Sequence, residues 1–300
     1  MTMPVVNELD NIYCIDTLLN NEKNAVCSYI VESEKVCIVD CGPTAAEREI
    51  LSAIEELGIR RNDVKFIAVT HIHLDHGGGA GRLLKHFPNA RVLVHPKGVE
   101  HLINPSKLWK SAKSVLGEVA DIYQLPEPCE KSRVVVVDDN QTVDLGDCLI
   151  KVVHTPGHAP HHVSFYLVES DVLFTGDSAG MYHEGMIVPT TPPPFDFKKS
   201  LESIEKMVKL NPKTIAFTHF GFGEGKELHK VYRKTVDWVE IAKSVVEEDG
   251  SVEDLRDRII EQDAEFGELL KLFRNSKIVG MSYMLGLWGL MDCVKRMGGG

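Results

Sequence analysis

His71, His73, Asp75 and His76 fall within six consecutive residues, in the run His71-Ile72-His73-Leu74-Asp75-His76. Imidazole nitrogen and carboxylate oxygen are the usual protein ligands of a hydrolytic metal ion, and a catalytic site keeps one position open for water or substrate. Alternation along an extended chain puts His71 and His73 on one side, and a turn towards Gly77 can swing Asp75 and His76 to a neighbouring point. Two adjacent metal ions fit that spacing better than one. The plain alternative, a surface turn that happens to be rich in histidine, is the weaker reading. The run follows a compact apolar stretch from Lys65 to Thr70 that reads as a buried strand, and it precedes glycines at 77, 78, 79 and 81 that open a helix through Leu84.

Further ligand types arrive later, each at a strand end or turn. His158 closes Thr155-Pro156-Gly157-His158, with His154, His161 and His162 close by, so the residues alone leave all four open as the next ligand. Asp177 ends Phe174-Thr175-Gly176-Asp177, His219 ends Phe217-Thr218-His219, and Asp40 stands in Val39-Asp40-Cys41-Gly42.

The HxHxDH run, the TPGH turn, the GD at a strand end and the late histidine, in this order, resemble the metallo-β-lactamase superfamily over about residues 12 to 222. The resemblance implies an α/β fold, a four-layer αββα sandwich, here with a C-terminal helical extension. It implies one metal ion on His71, His73 and His158, a second on Asp75, His76 and His219, and Asp177 bridging the two. Asp75 and Asp177 are then the carboxylates of the catalytic centre, and Asp40 hydrogen-bonds the metal loop without being a ligand. Two divalent ions are implied, zinc first, with iron or manganese as alternatives. A metal-bound hydroxide would be the nucleophile, because a metal ion lowers the pKa of its water and stabilises the oxyanion as it develops.

Within that superfamily the chain looks most like the glyoxalase II group and similar small thioester, ester or lactone hydrolases, with a small-molecule substrate. A mononuclear iron dioxygenase similar to persulfide dioxygenases, using His71, His158 and Asp177, is the first rival. RNA processing is disfavoured by the acidic charge. A flavodiiron-type role is disfavoured by His73, since that group has an acidic residue there, and a binding module on an inactive fold would be expected to lack ligands.

The elements that must position these residues are legible around them. Strands are expected at 12–17, 28–31, 35–39 and 91–95, and again at 133–137, 141–145, 148–154, 162–168, 171–175 and 214–218. Thr44 and Glu47 predict a capped helix running to Leu57, and Phe195 to Leu210 predicts an amphipathic one. Residues 98–125 read as an irregular helical insertion near the site. Everything after Gly223 reads as helix. The division expected is a catalytic domain over 1–222 and a helical region over 223–300, whose apolar stretch Ile278 to Met291 is buried within the chain or across a homodimer.

Composition bounds the rest. A net charge of −11 on 300 residues argues against a phosphate-backbone partner, whose binding rests on clustered Lys and Arg. The longest apolar stretch falls short of the roughly 20 residues of a membrane span. Seven scattered cysteines with no CxxC pair, and an N-terminus without a basic-then-apolar leader, predict a reduced, cytoplasmic protein. His154, His161, His162, Tyr182 and His183 flank the expected ligands and are candidates for substrate contact.

Overall fold

A computed structural model describes residues 5–298. Short runs rich in Val, Ile and Cys pair in chain order into a seven-stranded sheet of β1 (Val5–Leu9), β2 (Ile12–Asp16), β3 (Cys27–Val31), β4 (Val36–Val39), β5 (Val64–Ala68), β6 (Arg91–Val94) and β7 (Val134–Val136). The first four strands are antiparallel, whereas β4, β5, β6 and β7 run parallel. In β3 and β4 every residue is buried, as expected of strands covered on both faces.

The second sheet begins with β8 (Thr142–Asp144), β9 (Leu149–His154), β10 (Val163–Leu167) and β11 (Val172–Phe174). A separate hairpin follows, β12 (Met181–His183) and β13 (Met186–Val188), before β14 (Thr214–Phe217) and β15 (Gly221–Glu224) complete the sheet in the order β15-β14-β11-β10-β9-β8. β11 and β14 are parallel neighbours, joined by a crossover that contains the helix Phe197–Leu210.

Pleating sorts the side chains into layers. On β3, Tyr29 and Val31 face the second sheet and pack with Phe165 and Phe174, while Ile30 faces the other way, towards Ile50 and Phe87. Ile204, Met207, Leu228 and Val231 cover the outer face of the second sheet. The result is the expected αββα order of helices, sheet, sheet and helices.

Four helices follow, Glu227–Glu247, Val252–Gln262, Ala264–Leu272 and Lys277–Gly298. They pack on Trp238, Phe266 and Tyr283, whose rings meet edge-on at 4.9 and 5.5 Å. The same apolar cluster takes in Leu74, Tyr123, Met181 and Phe195 from the sandwich side, so the tail shares a core with the metal loop. The last helix lies unusually close to the loop at 190–193. A Cβ on Gly289 would stand 1.8 Å from the Thr191 carbonyl oxygen, and Thr191 Oγ1 donates to the Gly286 carbonyl at 2.8 Å.

Three local expectations are corrected. The expected boundary after residue 222 falls inside β15, because Gly223 and Glu224 pair with Ile215 and Thr214 and are not helical. Thr44 does not cap a helix: it starts a 3₁₀ turn and its hydroxyl reaches the carbonyls of Gly78 and Leu125, so the α-helix begins at Glu47. β1 and the β12–β13 hairpin are additional to the expected strands. None of the seven cysteines is paired and six are buried. Among the described residues no helix is long and apolar enough to cross a membrane.

Candidate metal centre

The ligand-type residues meet where strands of both sheets end. β5 is a buried parallel strand, and the chain leaving it carries Thr70, His71 and His73 before the short turn Leu74–Gly77 brings round Asp75 and His76. His158 follows β9, Asp177 follows β11 and His219 follows β14. Carboxyl ends of parallel strands are the usual place for a site in α/β folds, because loops there converge without breaking the sheet.

Within the cluster, His71 Nε2 lies 2.9 Å from His73 Nδ1, and His158 Nε2 lies 3.1 Å from the same nitrogen. His76 and His219 turn their Nε2 atoms to Asp177 Oδ1 at 3.3 and 3.4 Å, and His158 Nε2 is 3.3 Å from Asp177 Oδ2. Asp75 lies 3.9 Å from His76 and 3.7 Å from His219. Three sets therefore have donor atoms close enough to share an ion: His71, His73 and His158; His71, His76 and Asp177; and Asp75, His76 and His219.

Outward hydrogen bonds fix which nitrogen each ring presents. His158 Nδ1 donates to the Thr190 carbonyl at 3.2 Å and His219 Nδ1 to the Ala25 carbonyl at 2.6 Å. A carbonyl oxygen only accepts, so each Nε2 faces the cluster as a bare lone pair when the ring is neutral. His76 Nδ1 is held at 2.9 Å by the buried carboxylate of Asp40, which also accepts from the Thr70 amide, the Thr70 hydroxyl and the Thr218 hydroxyl. Asp40 keeps a left-handed backbone, φ 52°, a conformation that costs a non-glycine residue energy and persists only when its surroundings demand it.

Facing lone pairs around a carboxylate repel unless positive charge lies between them. His76 Nε2 and Asp177 Oδ1 are buried and make no hydrogen bond. Burial alone would lower the His76 pKa, but Asp177, Asp75 and Asp40 drive it well above its ordinary 6.5. Burial and the neighbouring His158 push His73 down to about 3, and burial with the His76 and His73 charges holds His71 well below its usual range. Burial would raise Asp177, yet His76, His158 and His219 hold it well below the usual carboxylate range. A raised His76 and a depressed Asp177 mark a buried set of nitrogen and oxygen donors that draws positive charge to itself, which a divalent metal ion would supply, so the residues fit one.

A cavity of about 200 Å³ opens over the cluster and is bordered by His73, Asp75, His158, Asp177 and His219.

Residues 21–219 match the family described as the metallo-beta-lactamase superfamily. The chain belongs to that superfamily. A metallo-beta-lactamase fold-containing protein of Sulfurisphaera tokodaii is 36% identical over 184 residues, 60% of this chain and 69% of that one. The hydroxyacylglutathione hydrolase GloC of Haemophilus influenzae is 29% identical over 207 residues, 65% of this chain and 84% of that one. In fold, a metallo-beta-lactamase family protein of Thermus thermophilus superposes with a TM-score of 0.70 at 20% identity, covering 97% of this chain and 95% of its own. As a member of the superfamily the chain is a metal-dependent hydrolase, with a His/Asp centre able to hold divalent metal.

All seven expected ligand positions converge, and Asp40 hydrogen-bonds the metal loop as the resemblance implied. The candidates for substrate contact behave differently, for none of them borders the cavity. His162 accepts from the Asp177 amide at 3.1 Å and meets the hydroxyls of Thr155 and Ser178, so it braces the Asp177 turn. Gly176 is needed there: it has φ 50°, and a Cβ would come within 2.6 Å of His162 Nε2. His154 stacks near His95, Tyr182 lies flat on Phe217 and His183 meets Phe273 edge-on. Sequence reasoning missed Tyr123, which is buried and lines the cavity. The insertion at 98–125 carried the only signal, and nothing in it singled out this residue.

Proposed function

We propose that the chain hydrolyses a small acyl compound, a thioester, ester or lactone. In this reading His71, His73 and His158 hold one divalent metal ion and Asp75, His76 and His219 a second. The observation that carries it is the placing of Asp177, whose two carboxylate oxygens reach separately towards His158 and towards the His76 and His219 pair. Divalent ions bound there would lower the pKa of a water molecule and polarise a carbonyl oxygen. Zinc suits the donor set best, with iron or manganese as alternatives.

The chain's own residues then have defined tasks. Asp40, Thr190 and Ala25 fix the orientation of His76, His158 and His219 through their outer nitrogens. Tyr123 is kept protonated, since burial and the nearby Asp75 raise its pKa well above 10.0. It can therefore donate to the oxygen of a carbonyl under attack, the place where negative charge develops. Likeness to a hydroxyacylglutathione hydrolase supports acyl chemistry in general.

A mononuclear iron oxygenase using His71, His158 and Asp177 leaves the Asp75, His76 and His219 set without a task. The test is metal quantification on protein purified without added metal, with ester, thioester and lactone hydrolysis and oxygen uptake measured on the same sample. Two ions per chain with hydrolysis is expected. One iron per chain with oxygen consumption would overturn the proposal.

A further inference from the structure

The cavity above the metal cluster has two unlike ends. Its floor is polar, made of the ligand-type side chains and Tyr123. Its walls are mainly apolar, with Ser111 and Ser282 among them. Leu108, Ala112, Val115 and Leu116 fall at i, i+4, i+7 and i+8 on the helix Ser106–Leu116 and so share one face. Met281 and Leu285, one turn apart on the last helix, oppose them, and Pro192-Pro193 closes the side. Val115 is half exposed, which puts it at the mouth.

No lysine or arginine borders this cavity among the described residues. Lys113, on the same helix, is turned away and paired with Asp121 at 2.8 Å. The whole chain carries −11, so its overall field does not favour an anion either. Carboxylates carried away from the scissile carbonyl would have to give up their hydration against Leu, Met and Pro with no lysine or arginine in return, which is strongly unfavourable. A hydrocarbon chain gains on entering the same walls.

Resting on the hydrolase reading above, we infer that the preferred substrate is an uncharged acyl compound with an aliphatic chain, and that anionic thioesters of the glutathione type are poor substrates. The chain lies between the two helix faces, with its carbonyl at the floor beside Tyr123. The leaving group is likewise uncharged.

The experiment uses the metal-loaded full chain in three arms. The first is a series of p-nitrophenyl esters from acetate to decanoate. Each added methylene is expected to raise kcat/KM about threefold to fourfold until the cavity is filled. The second compares one acyl group carried on glutathione and on uncharged N-acetylcysteamine, the neutral thioester being expected to be at least about tenfold better. The third measures binding of 2-alkanones of increasing length by calorimetry; these carry a carbonyl and an aliphatic chain but no scissile bond. Ala112→Trp should shorten the optimal chain in both turnover and binding, and Leu285→Ala should lengthen it.

Flat chain-length dependence, or preference for the glutathione thioester, with good turnover would overturn this inference and leave the hydrolase reading standing. Length-dependent 2-alkanone binding that Ala112→Trp abolishes, with no turnover of any ester, would support the cavity assignment while sinking the hydrolase reading.

Discussion

The ligand cage and the apolar wall above it are built on opposite plans. The cage residues His71, His76, His158, Asp177 and His219 are buried and sit at strand ends or the turns that follow them; the rings of His71, His76, His158 and His219 are oriented by the Thr70 hydroxyl, Asp40 and backbone carbonyls, and the Asp177 turn is braced by His162. The wall rests on the helix Ser106–Leu116, which has no fully buried residue, and on the last helix, which meets the sandwich through close backbone contact. Strand ends tied from several directions can hold atoms to the tolerance that bond-making needs, whereas a helix leaning on its side chains can be resized without disturbing them. Chemistry and selectivity are thereby assigned to different elements.

Removing Asp177 should break the cage most completely. Asp177→Ala should lose turnover and bound metal together while circular dichroism stays native, and full activity with full metal content would refute the cage as described. Next comes the residue that belongs to both regions. Tyr123→Phe should lower kcat about a hundredfold with little change in KM or metal content, the size expected for loss of an oxyanion donor. If KM alone rises, Tyr123 belongs only to the wall.

Asp40→Ala should lower metal affinity by about tenfold to a hundredfold, read by competition with a chelator, because His76 loses the partner that sets its tautomer. Unchanged metal affinity would show that the metal-loop backbone alone positions His76.

The smallest expected effect lies behind the wall. Glu265 accepts from Lys234 at 2.8 Å and from the Ile187 amide at 3.1 Å, tying the tail to β13. Burial would raise its pKa, but hydrogen bonds from Lys230 and Lys234 bring it below its ordinary 4.5. A depressed carboxylate contributes stability that is fully present above the unfolded value and is lost as pH falls through the folded one. Wild type should therefore exceed Glu265→Gln in Tm at pH 7 by an amount worth about 1 kcal/mol or less, and the gap should close below about pH 4.5. A gap that stays constant into acid would remove the ion pair from the account.

The same contrast explains what could be read in advance. His71 to His76 are contiguous, so local pattern carried that half of the cage, whereas His158, Asp177 and His219 were singled out by the order of motifs in the resemblance. The wall depends on contacts between residues 106–123, 190–193 and 281–285, which no periodicity records. Tyr123 lies in Ala120-Asp121-Ile122-Tyr123-Gln124, which gives no hint that it lines a cavity. The β12–β13 hairpin was missed, although Glu184-Gly185, both at positive φ, form the two-residue turn that such hairpins favour. Thr44 had the sequence of a cap but found carbonyl partners in the metal loop and at Leu125 instead.

The glycine contact between the last helix and the 190–193 loop also has a consequence for the newborn protein. Chains are made from the N-terminus, and domains begin to fold during synthesis. The seven cage residues are all in place once His219 has emerged, but Met281, Leu285 and the Gly286 and Gly289 seat come later. A growing chain thus holds every ligand position of its ion-binding centre before the last wall of the cavity above it has been made.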